Sequence, residues 1–192
     1  MDSVNSDTQA VLDFWFGSPV GEYRKQWFRK DPAFDKQIKT QFLDLYWVMV
    51  ASPSEPWLKM AKSSLARIIV LDQFARNMFR DTPQSFAADP EALATAEMAI
   101  DRGYDAAMLP VERFFLYLPF EHSENLDHQH RCVDYFEALI LDAPDLAHGL
   151  DYARRHRDVI AQFGRFPHRN QTLDRPNTEA ELDFLKRPGS RF

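Results

Sequence analysis

Apolar residues in this chain recur at steps of three and four, and helix signals repeat along its length where strand signals do not. Ser6 with Gln9 has the form of a capping box, followed by Val11, Leu12, Phe14 and Trp15 and closed by Gly17. Asp31-Pro32 reads as an N-cap with proline in the first turn, opening a helix whose buried stripe is Phe34, Ile38, Phe42, Leu45 and Val48. A break at Ser52-Pro53-Ser54 precedes a helix predicted from about Pro56 to Phe79, and Asp89-Pro90 repeats the cap-plus-proline device. Gly103 is placed to end that helix in the left-handed conformation, and Ala92, Ala94, Ala96 and Ala99 allow close approach along it. Pro110 to Leu118 is expected to stop at Pro119. The next helices run from Ser123 to just before Pro144 and from Leu146 to Phe163, the latter ended by Gly164. Thr178 with Glu181 makes a capping box for a last helix to about Lys186.

This pattern predicts an all-α fold in a single domain, residues 1 to 192. Successive hairpins with alanine-rich faces suit a solenoid-like stack of helix pairs, and an irregular globular helical bundle is the alternative. Sixteen phenylalanines supply a large apolar payload for the core. The four tryptophans, Trp15, Trp27, Trp47 and Trp57, all in the first third, favour an aromatic core there over a tryptophan-lined site.

Charge narrows the functional classes. A net charge of -6 argues against general nucleic-acid binding, which needs an extended basic face. The N-terminus lacks the basic stretch and cleavage site of a signal peptide, and no run nears the ~20 apolar residues of a membrane span; the expectation is a soluble, cytoplasmic protein. The positive charge is unevenly made. From Ser63 to Leu185 there are twelve arginines and no lysine, whereas residues 1 to 62 hold six lysines and two arginines. Such a bias fits a need for the planar guanidinium fork, which grips carboxylate or phosphate with two parallel bonds.

Three segments place polar groups inside apolar runs. In LDQFARNMFR (71 to 80), Asp72, Arg76 and Arg80 fall at i, i+4 and i+8, either as an exposed ion-pair ladder or as a carboxylate followed by two forks. In LPFEHSENLDHQH (118 to 130), Ser123 and Glu124 are explained by capping and the helix dipole, but Glu121 beside His122 is not. The third, residues 154 to 175, holds six arginines, two histidines and two aspartates around Gly164 and Pro167, which forbid an ordinary helix through Arg165, His168, Arg169 and Asn170. No HExxH or paired-cysteine pattern is present, so no metal or cofactor is expected, and Cys132 reads as a buried, inert thiol.

The motifs IIVLDQFARNMFR, ERFFLYLPFEHSE with Gln129, QFGRFPHRN with Thr178 and Glu181, DFWFG and FAADPEAL together resemble the bacterial family known as domain of unknown function 924 over nearly the whole chain. The resemblance implies a fold similar to tetratricopeptide-type helical hairpins and implies no particular reaction. Ala75 and His130 depart from the family pattern, where proline and an acidic residue are usual, so neither position is expected to be essential.

Two functions are compatible with these residues. In the first, Arg76, Asn77, Arg80, His122, Glu124, His156, Arg165, His168, Arg169 and Asn170 converge and bind a small anion, carboxylate or phosphate, or an acidic peptide. In the second, Glu121 and His122 perform acid–base or hydrolytic chemistry with His156 or His168. The structural alternative is a polar network of arginines paired with Asp72, Glu112, Glu121 and Glu124 inside a protein-interaction scaffold.

Overall fold

A computed structural model describes residues 2–17, 23–51 and 55–190, with side chains from residue 4; the expected break at Ser52-Pro53-Ser54 lies outside these. The described residues form helices and turns with no strand. The helices are α1 (Asp2–Phe16), α2 (Pro32–Ala51), α3 (Ala61–Ile68), α4 (Ala75–Met78), α5 (Asp89–Asp101), α6 (Pro110–Glu121), α7 (Leu126–Asp142), α8 (Ala147–Phe163) and α9 (Glu179–Leu185). Between α3 and α4 the chain does not break: Ile69–Phe74 is π-helical. Its wider turns rotate the side chains that follow relative to those before, and such insertions often accompany functional sites.

Several expected boundaries hold for the reasons given by the sequence. Asp31 Oδ1 accepts from the backbone N–H of Ala33 at 2.9 Å and caps α2. Gly17, Gly103 and Gly164 all take positive φ just beyond helix ends. Thr178 and Glu181 form the reciprocal capping box of α9.

Other expectations are corrected. Helix α1 already spans Ser6 and Gln9, so they form no cap, and Gln9 donates to Asp13 instead. The buried stripe of α2 ends in Tyr46 and Met49, while Val48 is half exposed, because the true 3.6-residue repeat drifts away from a fixed step of three. The helix predicted from Pro56 begins only at Ala61, after a 3-10 turn over Trp57–Lys59. Ala94 faces outward on α5 and Trp47 lies half exposed on α2. Helix α6 continues through Pro119: the ring removes one hydrogen bond, but buried neighbours hold the turn and the His122 N–H still donates to Leu118 O at 3.0 Å. As a result Glu121 and His122 close α6 and do not open α7, whose cap is Asn125 rather than Ser123.

The main core joins α1 to α8. Its centre is aromatic: Phe42 and Phe74 ring centroids are 4.7 Å apart, Trp27 and Phe115 4.8 Å, and Trp15 and Phe115 5.4 Å. The Trp27 indole N–H donates to Trp15 O at 2.9 Å, so this large ring is buried with its polar atom satisfied. Helix α3 packs on α1, α5 and α6, and α7 lies between α6 and α8. A smaller cluster of Val159, Ile160 and Phe166, flanked by Phe163 and Phe184, anchors the segment after α8.

Close approach between α6, α7 and α8 depends on one residue without a side chain. A Cβ at Gly149 of α8 would come within 2.5 Å of the Phe114 ring and 2.6 Å of the Phe136 ring. Gly149→Ala is expected to destabilise by about 1–3 kcal/mol through overpacking, measured as a lowered denaturation midpoint, and to move Phe114. An unchanged midpoint would show that these rings yield freely.

Candidate functional site

The π-helical turn carries Asp72 into the interior, where it has no exposed surface. A buried carboxylate must be met by donors and cations. Its Oδ1 receives the His122 Nδ1–H at 2.7 Å and Arg76 Nη1 at 3.0 Å, and its Oδ2 receives Gln73 Nε2 at 2.6 Å. Burial raises the pKa of this carboxyl, but Arg76, His122 and the hydrogen bonds outweigh burial and hold it well below the ordinary range.

Arg76 bridges outward from this centre. Its guanidinium grips Asp89 at the start of α5 with two bonds of 2.8 and 3.0 Å. Asp89, read from the sequence as a helix cap, makes no capping bond and serves instead as the partner of two arginines. The second is Arg169, whose Nη2 donates to His122 O at 3.0 Å and whose Nη1 lies 3.5 Å from Asp89. Arg169 is stacked against Phe86 and Phe166, with its central carbon 4.7 and 4.5 Å from the ring centroids. Burial lowers its pKa to about 10 despite Asp89.

Gln73, Arg76, His122 and Arg169 border one cavity of about 480 Å³, a suitable volume for a small molecule. Its lining includes the aromatic rings of Tyr23, Trp27, Phe28, Phe86 and Phe114. It also includes Arg76, Asn77, Arg80, Glu121, His122, His156, His168 and Arg169. Trp27 is thus both a core ring and a cavity wall. Three lining residues own a buried polar atom that meets no hydrogen-bond partner among the described residues: Glu121 Oε2, Arg169 Nε and His148 Nε2.

Glu121 and His122, adjacent in sequence, have opposite surroundings. His122 is bonded through Nδ1 to Asp72, while burial and Arg76 keep its pKa low, so the neutral ring carries its lone pair on Nε2. Glu121 has no cation within bonding distance among the described residues. Its nearest charged-group neighbour is His156 Nδ1 at 3.6 Å, and that N–H donates to Tyr152 O at 2.9 Å. Burial, with the nearby Asp72 charge, pushes the Glu121 carboxyl up to about 8 against the opposing pull of Arg76. At neutral pH the site therefore holds a protonated carboxyl beside an oriented, neutral imidazole. Burial also keeps His156 well below its usual pKa and Cys132 well above, so this thiol is inert.

The remaining sequence candidates fall into two groups. Asn77 and Arg80 reach the cavity but are held by Asp35 of α2, which Asn77 meets at 2.7 Å and Arg80 with two bonds of 2.8 Å. Of the two arrangements open for Asp72, Arg76 and Arg80, the exposed ladder does not form: α4 ends at Met78, so Arg80 leaves the helix face, and Asp72 is buried.

Glu124, Arg165 and Asn170 do not line this cavity. Glu124 accepts two bonds from Arg175 and the Phe166 N–H at 2.8 Å, and it borders a neighbouring hollow of about 370 Å³. Arg165 turns to α9 and forks onto Glu181 at 2.6 and 2.8 Å. Asn170 is fully buried between Arg175 and Asn177. Among the described residues, no group of three or more His, Cys, Asp or Glu side chains is placed to hold a metal ion. None of the described helices is long and apolar enough to cross a membrane.

Reading the sequence missed Asp89, Asp35 and the aromatic wall. The signal for Asp89 was ambiguous, because Asp before proline at a helix start is explained by capping alone. For Asp72, which the sequence offers as part of a ladder, as a carboxylate beside two forks or as an arginine partner in a network, the cue to burial is the polar pair Asp72-Gln73 inside the apolar run from Ile68 to Phe74.

The fold and cavity define a class of all-helical proteins with a polar, arginine-lined pocket walled by aromatic rings. The family model for bacterial proteins of unknown function (DUF924) matches residues 11–189, and the chain belongs to that family. It is similar to the solved protein of unknown function ATU0120 from Agrobacterium tumefaciens, at 38% identity and a TM-score of 0.85, over 95% of this chain and 98% of that one. No curated protein sequence matches it.

The raised Glu121 pKa has a thermodynamic sign. An acid whose folded pKa stands above its unfolded value of about 4.5 stabilises fully below that value, and the contribution is lost as pH rises to the folded value near 8. Glu121→Gln, neutral at every pH, is expected to gain stability on the wild type between pH 5 and 8, with the gap constant above that. Thermal melts across pH 5 to 9 measure the difference; a gap independent of pH would show that Glu121 is ionised throughout.

Proposed function

We propose that the cavity binds a small molecule bearing an anionic group, a carboxylate or phosphate, including the terminal carboxylate of an acidic peptide. The observation that carries this reading is Arg169. A buried guanidinium normally satisfies all of its donors, and this one leaves Nε unmatched while sharing Asp89 with Arg76. An anion in the cavity would supply the missing acceptor, and the aromatic rings would hold an apolar body. A thermal-shift screen of carboxylate and phosphate metabolites tests it. Ligand at a hundred times its Kd stabilises by about 2.7 kcal/mol, so a rise in Tm is expected for the wild type and none for Arg169→Met. Methionine retains the packing between Phe86 and Phe166. A drop in basal Tm for Arg169→Met, with no response of the wild type to any compound, would favour a purely structural network.

A second reading, acid–base catalysis on the bound molecule, is favoured by the 2.7 Å bond between His122 Nδ1 and Asp72. A carboxylate on Nδ1 orients the ring and makes Nε2 the base, and Glu121 can give a proton to a substrate oxygen. His156 is a weak partner for this, since its Nδ1 is committed to Tyr152 O. With phenylpyruvate as probe, wild type is expected to speed deuterium incorporation next to the carbonyl, followed by proton NMR. His122→Gln should cut that acceleration by about 100-fold. Binding of phenylpyruvate without faster exchange would remove this reading and leave the first.

A further inference from the structure

The charges around the cavity discriminate between the two kinds of anion. Arg169, which is buried, and Arg76, which is mostly withdrawn from solvent, are balanced by Asp72 and Asp89. Arg80 is balanced by Asp35. Arg29 also lines the cavity but is exposed to solvent, so these three arginines leave no surplus of positive charge withdrawn from water to meet a phosphate dianion. What remains, among the described residues, is a set of unmatched groups: Arg169 Nε, His148 Nε2 and one carboxyl group, Glu121, with an oxygen that meets no partner. A carboxylate brings one negative charge and two acceptor oxygens, and a carboxylic acid paired with a carboxylate shares one proton between them.

We propose that the cavity selects a flat monocarboxylate, whose oxygens accept hydrogen bonds from the Glu121 carboxyl and the Arg169 guanidinium while its ring lies against Trp27, Phe28 and Phe114. This rests on the anion-binding reading above and narrows it from carboxylate or phosphate to carboxylate. The aromatic lining favours a planar partner, because Phe28 and Phe115 are already stacked at an interplanar angle of 3° and the exposed Phe28 continues that surface into the cavity.

Binding is then linked to the proton on Glu121. The groups near it are Asp72 from the π-helical turn, Arg76 from α4, Cys132 on α7 and His156 on α8, and the same cavity is lined by His122 at the end of α6, His148 on α8, and His168 and Arg169 from the turn after α8. Above the Glu121 pKa of about 8, two carboxylates would confront each other, so affinity falls as pH rises through that value. Burial holds His122 and His156 below the ordinary histidine range, on the acid side of this window, and loss of the proton from Arg169, near 10, lies beyond it.

Calorimetric titration of the full chain with phenylacetate, benzoate, phenyl phosphate and inorganic phosphate tests the inference. The carboxylates are expected to bind at least about tenfold more tightly than either phosphate at pH 7 and to weaken by about tenfold between pH 7 and 9. Glu121→Gln keeps a neutral donor, so it should bind phenylacetate equally at both pH values. Phosphates that bind as tightly as the carboxylates, or a pH effect that persists in Glu121→Gln, would overturn the carboxylate assignment and leave anion binding intact. If none of the four binds, both readings fail.

Discussion

The interaction on which the rest of the site depends is the burial of Asp72. A carboxylate removed from water is tolerable only when its oxygens are fully met, and three side chains from two parts of the chain do this. The consequences spread outward from that requirement. His122 must present Nδ1–H, which fixes its tautomer; Arg76 must turn inward, which brings Asp89 and α5 with it; and Asp89 then gives Arg169 an ionic contact at 3.5 Å. Helix α6, the π-helical rod, the start of α5 and the turn after α8 are thus tied into one electrostatic unit.

Two carboxyl groups in this unit experience the same burial with opposite outcomes. Asp72 is met by a guanidinium, an imidazole N–H and an amide, and stays ionised. Glu121 meets none of them directly, and the charge on Asp72 makes its own ionisation harder. Satisfying the first carboxylate is what leaves the second protonated, since Arg76 and His122 cannot serve both. The neutral acid is therefore a product of the same network that stabilises the fold, and a cavity beside it inherits a hydrogen-bond donor where a carboxylate would ordinarily supply only acceptors.

The helical class and most helix ends were legible because each rests on local chemistry: Asp31 before Pro32, glycines with positive φ, and the Thr178–Glu181 box act within four residues. The continuation of α6 through Pro119 was not legible, because it depends on neighbours that surround the proline only in the folded chain. That one boundary matters for the site, since it places Glu121 and His122 at the end of α6, against Asp72 and α8. Of the residues singled out beforehand, Arg76, Asn77, Arg80, Glu121, His122, His156, His168 and Arg169 share the cavity, Asn77 and Arg80 being held there by Asp35. Glu124, Arg165 and Asn170 looked equivalent in the sequence, yet each is absorbed by a local partner, Arg175, Glu181 and Asn177 respectively. Sequence spacing identifies a polar cluster but not which member is left unsatisfied.

The preference for arginine over lysine between Ser63 and Leu185 can now be assigned mainly to architecture. Arg76 on Asp89, Arg80 on Asp35, Arg165 on Glu181 and Arg175 on Glu124 are two-bond forks, a geometry that a lysine ammonium cannot reproduce. Each of these joins segments distant in the chain and closes its own charge balance. Arg169 is different in kind: its contacts to Asp89 and His122 O are single bonds, its planar faces rest on two phenylalanines, and its Nε is unmatched. Unlike the four forks, Arg169 therefore keeps a donor that its protein partners among the described residues do not meet, and it lines the same cavity as Glu121.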